Sequence, residues 1–299
     1  MTWIDIVNPT KEDALAIMDE FHINPIVAEE LLAPTMRARV DQYNTYLYLI
    51  LHFPALHHTK GSHQMPAKNQ EVDFIIGKKF LITAHYTDID TILNFSKTLE
   101  VYATLQKNLT GDHAGFLFCH LMKYLYGALQ AELQFISDAL AHVEDRMFDN
   151  IEQELVFELS VLSSSLVGCR SVTRPHHEVL ASLADIGEHF FGKDFVHHLE
   201  ALRGEQYRVE SMIHGNFDTL SELRATNNAL VSTKQHKTMQ TLTLMAFITF
   251  PLSLVAALFS MNTGYTPIVG SPNGFWYIIL LMISMTIGFF AWFKHKKWL

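Results

Sequence analysis

From Thr238 to Phe293 the chain carries no Asp, Glu, Lys, Arg or His, and the run is interrupted once, between Asn262 and Gly274, by Gly264, Pro267, Gly270, Pro272 and Gly274. A single soluble core helix does not stay uncharged for that length. The pattern predicts two membrane helices joined by a short loop, with spans at about 241–260 and 275–293. Each has the roughly 20 residues that about 30 Å of hydrocarbon requires, and in lipid such a backbone is satisfied internally only as a helix. Lys234 and Lys237 precede the first span, and Lys294, Lys296 and Lys297 follow the second. By the positive-inside rule both termini are cytoplasmic and the loop faces outward. Trp276, Tyr277, Trp292 and Trp298 stand where an interfacial aromatic belt places them.

The patterning before this region is of two kinds. Residues 1–110 show short alternating or β-branched runs, predicting strands at Trp3–Val7, Val40–Tyr43, Tyr46–Phe53, Val72–Ile76 and Phe80–His85, the last two joined by a hairpin turn at Gly77-Lys78. Asn8-Pro9-Thr10 opens a helix with Glu12 and Asp13 in its first turn, a favourable dipole arrangement, and a second helix runs near Pro25–Leu32. One sheet with helices packed on it is the economical architecture.

From Asp112 onward strand signals stop. Leu117, Leu121, Leu125, Leu129, Leu133 and Ile136 predict an amphipathic helix over Gly115–Asn150, and Glu152 to about Leu183 runs back as a helical hairpin. Gly187 and Gly192 mark the next turn. A last helix starts at Lys193 or Asp194 and meets no proline until Pro251, inside the first span. On it Leu202, Val209, Ile213, Phe217, Leu220, Leu223 and Leu230 form a seam close to heptad spacing, suited to the hairpin helices or to a neighbouring copy. The predicted fold class is therefore an α+β cytoplasmic domain (mixed sheet with packed helices), then long helices, a stalk helix and two C-terminal transmembrane helices. Its divisions fall at 1–110, 111–237 and 238–299.

Composition narrows the function. A formal net charge of -9 and the lack of a basic patch argue against nucleic acid. The opening Met1-Thr-Trp-Ile-Asp has neither the basic nor the apolar region of a cleavable signal. The 2 cysteines, Cys119 and Cys169, fit a reducing compartment rather than a disulfide framework. About 235 residues remain for a soluble part, enough for a large core, yet they hold no Gly-x-Ser-x-Gly, no phosphate-binding Gly-x4-Gly-Lys-Ser/Thr and no His-Glu-x2-His. No enzyme and no cofactor is expected.

The first span carries the chemistry. Met239, Leu242, Ala246, Phe250, Ser253, Ala257 and Ser260 recur every three or four residues, a face of small, polar or flexible side chains ending beside Asn262. Small residues and hydroxyls are ordinary packing material between membrane helices. Two helices cannot enclose a pore, so a conduit requires several copies about an axis with this helix inside. A ring of carboxamides at the mouth offers uncharged oxygens to a hydrated cation, and Mg²⁺ releases its water reluctantly.

Ser260-Met261-Asn262, at the outer end of the first of two C-terminal spans, resembles the Gly-Met-Asn signature of CorA-type divalent cation (Mg²⁺) transporters. Phe-Pro-Leu-Ser at 250–253, the basic ending Lys294-His-Lys-Lys-Trp-Leu299 and the opening Thr2-Trp-Ile-Asp-Ile-Val-Asn-Pro-Thr10 are similar to the same family. The resemblance implies a homo-oligomer, a pentamer, in the inner cell membrane that passes divalent cations, with the lipid bilayer as its other partner. It implies cation binding at Ser260, Met261 and Asn262, a hydrophobic inner gate at Met239 and Leu242, and Mg²⁺ as transported and regulatory ion. The family's glycine is Ser260 here, the aromatic after the asparagine is Thr263, and the asparagine one turn before the gate is His236, where a ring of protonated imidazoles opposes cations. The position aligned with a regulatory aspartate is Ala201, leaving Glu200, Glu205 and Asp218 as candidate regulatory ligands. The alternatives are a ZntB-type zinc transporter, which shares the architecture, and a non-conducting scaffold closed by Ser260.

Histidine clusters add a separate candidate. His57, His58 and His63, with His52 upstream, are a zinc possibility, although such Lys-, Gly- and Ser-containing connections are ordinarily solvated and no cysteine supports a ligand set. The pairs His176-His177 and His197-His198 point about 100° apart on a helix and cannot clamp one ion alone.

Overall fold

The computed structural model describes residues 1–54, 69–104, 113–149, 152–261 and 273–296. Chain contacts divide it into two units, Met1–Asn227 and Asn228–Leu299.

In the first unit five strands, β1 (Thr2–Val7), β2 (Arg39–Gln42), β3 (Tyr46–Phe53), β4 (Gln70–Gly77) and β5 (Phe80–His85), form one mixed sheet in the order β1-β5-β4-β3-β2. β1 lies parallel to β5 and every other pairing is antiparallel. β3 and β4 are buried over nearly their whole length, which is why they read as continuous apolar runs rather than alternation. One face holds Tyr46, Tyr48, Ile50, Ile75 and Ile82 in a core with Ile17, Ile23, Val27 and Leu31 from α1 (Lys11–Phe21) and α2 (Pro25–Glu30). The start of α1 is fixed by a reciprocal capping box: Thr10 Oγ1 accepts from Asp13 N–H, and the Asp13 carboxylate accepts from Thr10 N–H.

The other face packs on helices. Trp3 stacks edge-on to Phe95 of α3 (Asp90–Thr104), Phe95 meets Tyr124, and Phe74 meets Phe118 of α4 (Ala114–Asp145). Sequence reasoning missed α3, although Ile89, Ile92 and Phe95, all buried, carry a helical period. The strand assignments lie within about two residues of those expected.

The returning helix is a correction. The expected single helix from Glu152 to about Leu183 is two, α5 (Glu152–Thr173) and α6 (His176–Phe191). Pro175 lacks an N–H and disfavours helical backbone at Arg174, so the chain turns there. Gly187 likewise belongs inside α6, where a Cβ would stand 2.5 Å from the Phe195 ring, and the turn is made by Gly192 at φ 96°. Phe195 opens α7 (Lys193–Ser260), a single helix of 68 residues, and α8 (Gly274–His295) follows.

By length and composition Glu154–Phe191, α7 and α8 are all apolar enough to cross a membrane. The first is interrupted by Pro175 and covered by protein along one stripe only: α5 meets β3 and α6 meets β2, and Leu155, Leu159, Leu166, Leu180 and Leu183 are buried, while Val156, Phe157 and Val167 are exposed. The side chain of His176 adds a polar anchor. Its Nε2 lies 2.8 Å from the His52 carbonyl, which can only accept, so Nε2 carries the proton and Nδ1 accepts from Tyr126 Oη at 2.9 Å. Burial pushes His176 down to about 4, so this ring is neutral. Cys119 and Cys169 are free, buried thiols, each pushed up to about 12 by desolvation.

Candidate functional site

The residues expected to line a path all lie on α7. At about 100° per residue, Met239, Leu242, Ala246, Phe250, Ser253, Ala257 and Ser260 fall within an arc of about 80°. Met239 is 66% exposed, Leu242 59% and Phe250 74%, Ser253, Ala257 and Ser260 are exposed, and Ala246 is half-buried. Exposure here is not confined to that arc. Phe247, Leu254 and Leu258 on other sides of the helix are exposed as well, so it is the size and polarity of the residues in the arc that distinguish it, together with its end at Met261. Asn262, the third residue of the signature, lies outside the described residues.

Hydroxyls elsewhere on this helix are satisfied locally. Thr238, Thr241, Thr243 and Thr249 donate to the carbonyls of Lys234, Lys237, Met239 and Met245, at 3.0, 3.0, 2.8 and 2.7 Å, the back-bonding that lets polar side chains sit in an apolar environment. Pro251 donates nothing to the helix and leaves the Phe247 carbonyl without its usual partner. His236 is exposed one turn before Met239.

The candidate regulatory carboxylates are not assembled by one chain. Glu200 and Asp218 are exposed, while Glu205 accepts from Gln130 Nε2 at 2.9 Å and lies 3.4 Å from Arg208 Nη1. On a helix rising about 1.5 Å per residue, Glu200 and Asp218 stand roughly 27 Å apart. Among the described residues no three His, Cys, Asp or Glu side chains are grouped to hold a metal. An ion shared by these carboxylates would need ligands from a second copy.

The histidine candidates separate in the same way. His57, His58 and His63 lie outside the described residues. His52 Nε2 faces the Thr35 carbonyl at 2.8 Å and Glu71 Oε2 at 3.0 Å. His176 is buried and His177 exposed, and the exposed His198 meets the Phe116 ring edge-on at 4.5 Å.

What sequence reasoning missed is the polar group on the sheet: Tyr48, His52, Glu71 and Asp73 on one face, with Asp5, Thr83 and His85 on the other. An alternation of Glu71 and Asp73 inside an apolar strand was the available signal.

Over residues 1–295 the chain matches the family described as "CorA-like Mg2+ transporter protein". It is 23% identical to YfjQ of Bacillus subtilis over 296 residues, 99% of this chain and 89% of that protein. Against the cobalt/magnesium transport protein CorA of Thermotoga maritima it is 24% identical over 299 residues, covering 100% of this chain and 83% of the relative. The structure of the CorA magnesium transporter from Methanocaldococcus jannaschii superposes with a TM-score of 0.85 at 20% identity, over 99% of this chain and 91% of that one. The zinc transport protein ZntB of Yersinia enterocolitica aligns over a shorter stretch, 60% of this chain and 55% of that protein, at 21% identity.

Proposed function

Because the chain belongs to the CorA-like Mg²⁺ transporter family, and is thus a membrane transporter of divalent cations rather than an enzyme, we propose that it conducts Mg²⁺ through an axial path lined by α7 in a homopentamer. The observation that carries this reading is α7 itself. Its apolar second half is almost wholly exposed within one chain, which suits coverage by lipid and by copies of the same helix, and its small-residue arc ends at Ser260-Met261-Asn262. A ring of Asn262 carboxamides receives the ion with its water shell, since Mg²⁺ dehydrates reluctantly. Met239 and Leu242 form the inner constriction, closing by dewetting. The basic flanks Lys234, Lys237, Lys294 and Lys296 support an orientation with both termini in the cytoplasm. Regulation by cytosolic Mg²⁺ at Glu200, Glu205 or Asp218 requires carboxylates from adjacent copies.

Uptake into proteoliposomes tests the reading, with Mg²⁺ competed by Zn²⁺, Co²⁺ and Ni²⁺. The expected result is Mg²⁺ entry reduced about 10–100-fold in Asn262→Ala, the range for removing an outer partner of a metal site. Zn²⁺ entry without Mg²⁺ entry would favour a zinc transporter, and no entry of any ion a scaffold.

A further inference from the structure

The sheet face that packs on α1 and α2 carries a polar cluster that the transport reading does not use. Glu71 and Asp73 are two residues apart on β4 and so project from the same face, at 4% and 1% exposure. Asp73 Oδ2 lies 3.5 Å from Tyr48 Oη, while Oδ1 is buried without a hydrogen-bond partner among the described residues. The charged and titratable groups facing Asp73 are Glu71 on its own strand, Tyr48 on β3, Tyr86 after β5 and Glu30 on α2. Of cations, His52 reaches Glu71 rather than Asp73, and Arg39 is bound to Glu30 and Asp41.

Like charges side by side in a desolvated site favour keeping a carboxyl protonated, and Asp73, which lacks the imidazole that faces Glu71, is the one so disfavoured as an anion. The same cluster fastens the connection from α2 to β2. Thr35 N–H donates to Glu71 Oε2 at 2.7 Å, His52 Nε2–H donates to the Thr35 carbonyl at 2.8 Å, and Tyr86 Oη–H donates to the Leu31 carbonyl at 3.4 Å.

We propose that Asp73 holds a proton at neutral pH beside the Glu71 carboxylate, and that its release on alkalinisation sets a second negative charge beneath residues 31–37 and unfastens that connection. Burial, then the Glu71 charge, push Asp73 well above the usual carboxylate range, and the hydrogen bond to Glu71 raises His52. Both shifts have the same sign. A folded state that holds a proton more tightly than the unfolded chain loses stability as pH rises: above about 3.8 for Asp73 and above about 6.5 for His52. The inference is independent of which ion the protein carries.

The full chain in lipid nanodiscs is titrated from about pH 6 to about pH 9. Infrared spectra in D₂O should show a protonated carboxyl band that disappears on alkalinisation and is missing from Asp73→Asn. Hydrogen exchange of residues 31–37, corrected for intrinsic rate, should lose protection over the same range, about tenfold per pH unit traversed, and stay level in Asp73→Asn. Should that variant not fold, Glu71→Gln keeps the test: with the neighbouring charge gone and His52 still present, the infrared transition moves to lower pH. No such band in the unsubstituted protein, a band unchanged by either substitution, or protection indifferent to pH overturns the proposal.

Discussion

Asn227 and Asn228 are neighbours on one helix, yet they belong to different units, and the helix behaves differently on either side of them. Up to Asn227, α7 buries Phe195, Leu199, Leu202, Val209, Ile213, Leu220 and Leu223 within its own unit. Asn216 there donates to the Leu133 carbonyl of α4 at 2.9 Å. Beyond Asn227 the helix is richer in large apolar residues, but among those described only Leu244 is buried. Supply of hydrophobic surface is not the difference. The first unit covers its apolar stripe with its own chain, whereas the second leaves its surface exposed within one chain, to lipid and, on the proposed function, to other copies, the arrangement in which membrane helices associate by packing rather than by escape from water.

The sharpest way to break this comparison is to truncate equivalent side chains on its two sides. Leu133→Ala, at a site with 0% exposure, should cost about 2–5 kcal/mol in chemical denaturation of the full chain. Leu254→Ala, at 61% exposure, should change the same transition by less than about 0.5 kcal/mol. Equal losses would mean that the second unit is held by contacts within one chain.

A comparable effect is expected from acid. His176 is neutral in the fold and gains a proton on unfolding, so its contribution is fully present above about pH 6.5 and is lost as pH falls through about 4. The loss is on the order of 3 kcal/mol. His176→Leu should flatten that acid limb while lowering stability at neutral pH, because Tyr126 Oη is left without its acceptor. An unchanged acid limb would show that His176 is charged in the fold.

Smaller still is the polar tie between α7 and α4. Asn216→Ala removes a bond to the Leu133 carbonyl, which keeps its partner within α4, and should cost about 0.5–1.5 kcal/mol, measured by urea midpoint, against no detectable change for the exposed Ser232→Ala. A neutral Asn216→Ala would move the cause of α7 docking entirely to its apolar stripe.

Much of this was legible in the sequence, and the exceptions have causes. The uninterrupted α7 follows from the absence of proline between Lys193 and Pro251, and the entry into α1 from Thr10 and Asp13, because both are local rules. Leu202, Val209, Ile213, Leu220 and Leu223 could be read as a seam, but whether the hairpin or another copy covered it depended on tertiary packing, and the structure buries them within the chain. Pro175, between Arg174 and His176, is a readable stop signal that the expected single helix ran through. The link from His52 to His176 crosses 124 positions, and no periodicity encodes a hydrogen bond between such distant elements. For the candidate site, the arc from Met239 to Ser260 is legible because helical spacing alone defines it, whereas the role proposed for Asn262 depends on an assembly that a single chain does not contain.

Assembly is therefore what most directly tests the account. Native mass spectrometry of the full chain released from lipid nanodiscs should give a closed oligomer, five times the 34.2 kDa protomer, and cysteine placed at Ala246 should cross-link neighbouring copies within it. A species of one protomer mass in lipid, with no cross-link at Ala246, would contradict an axial path lined by α7.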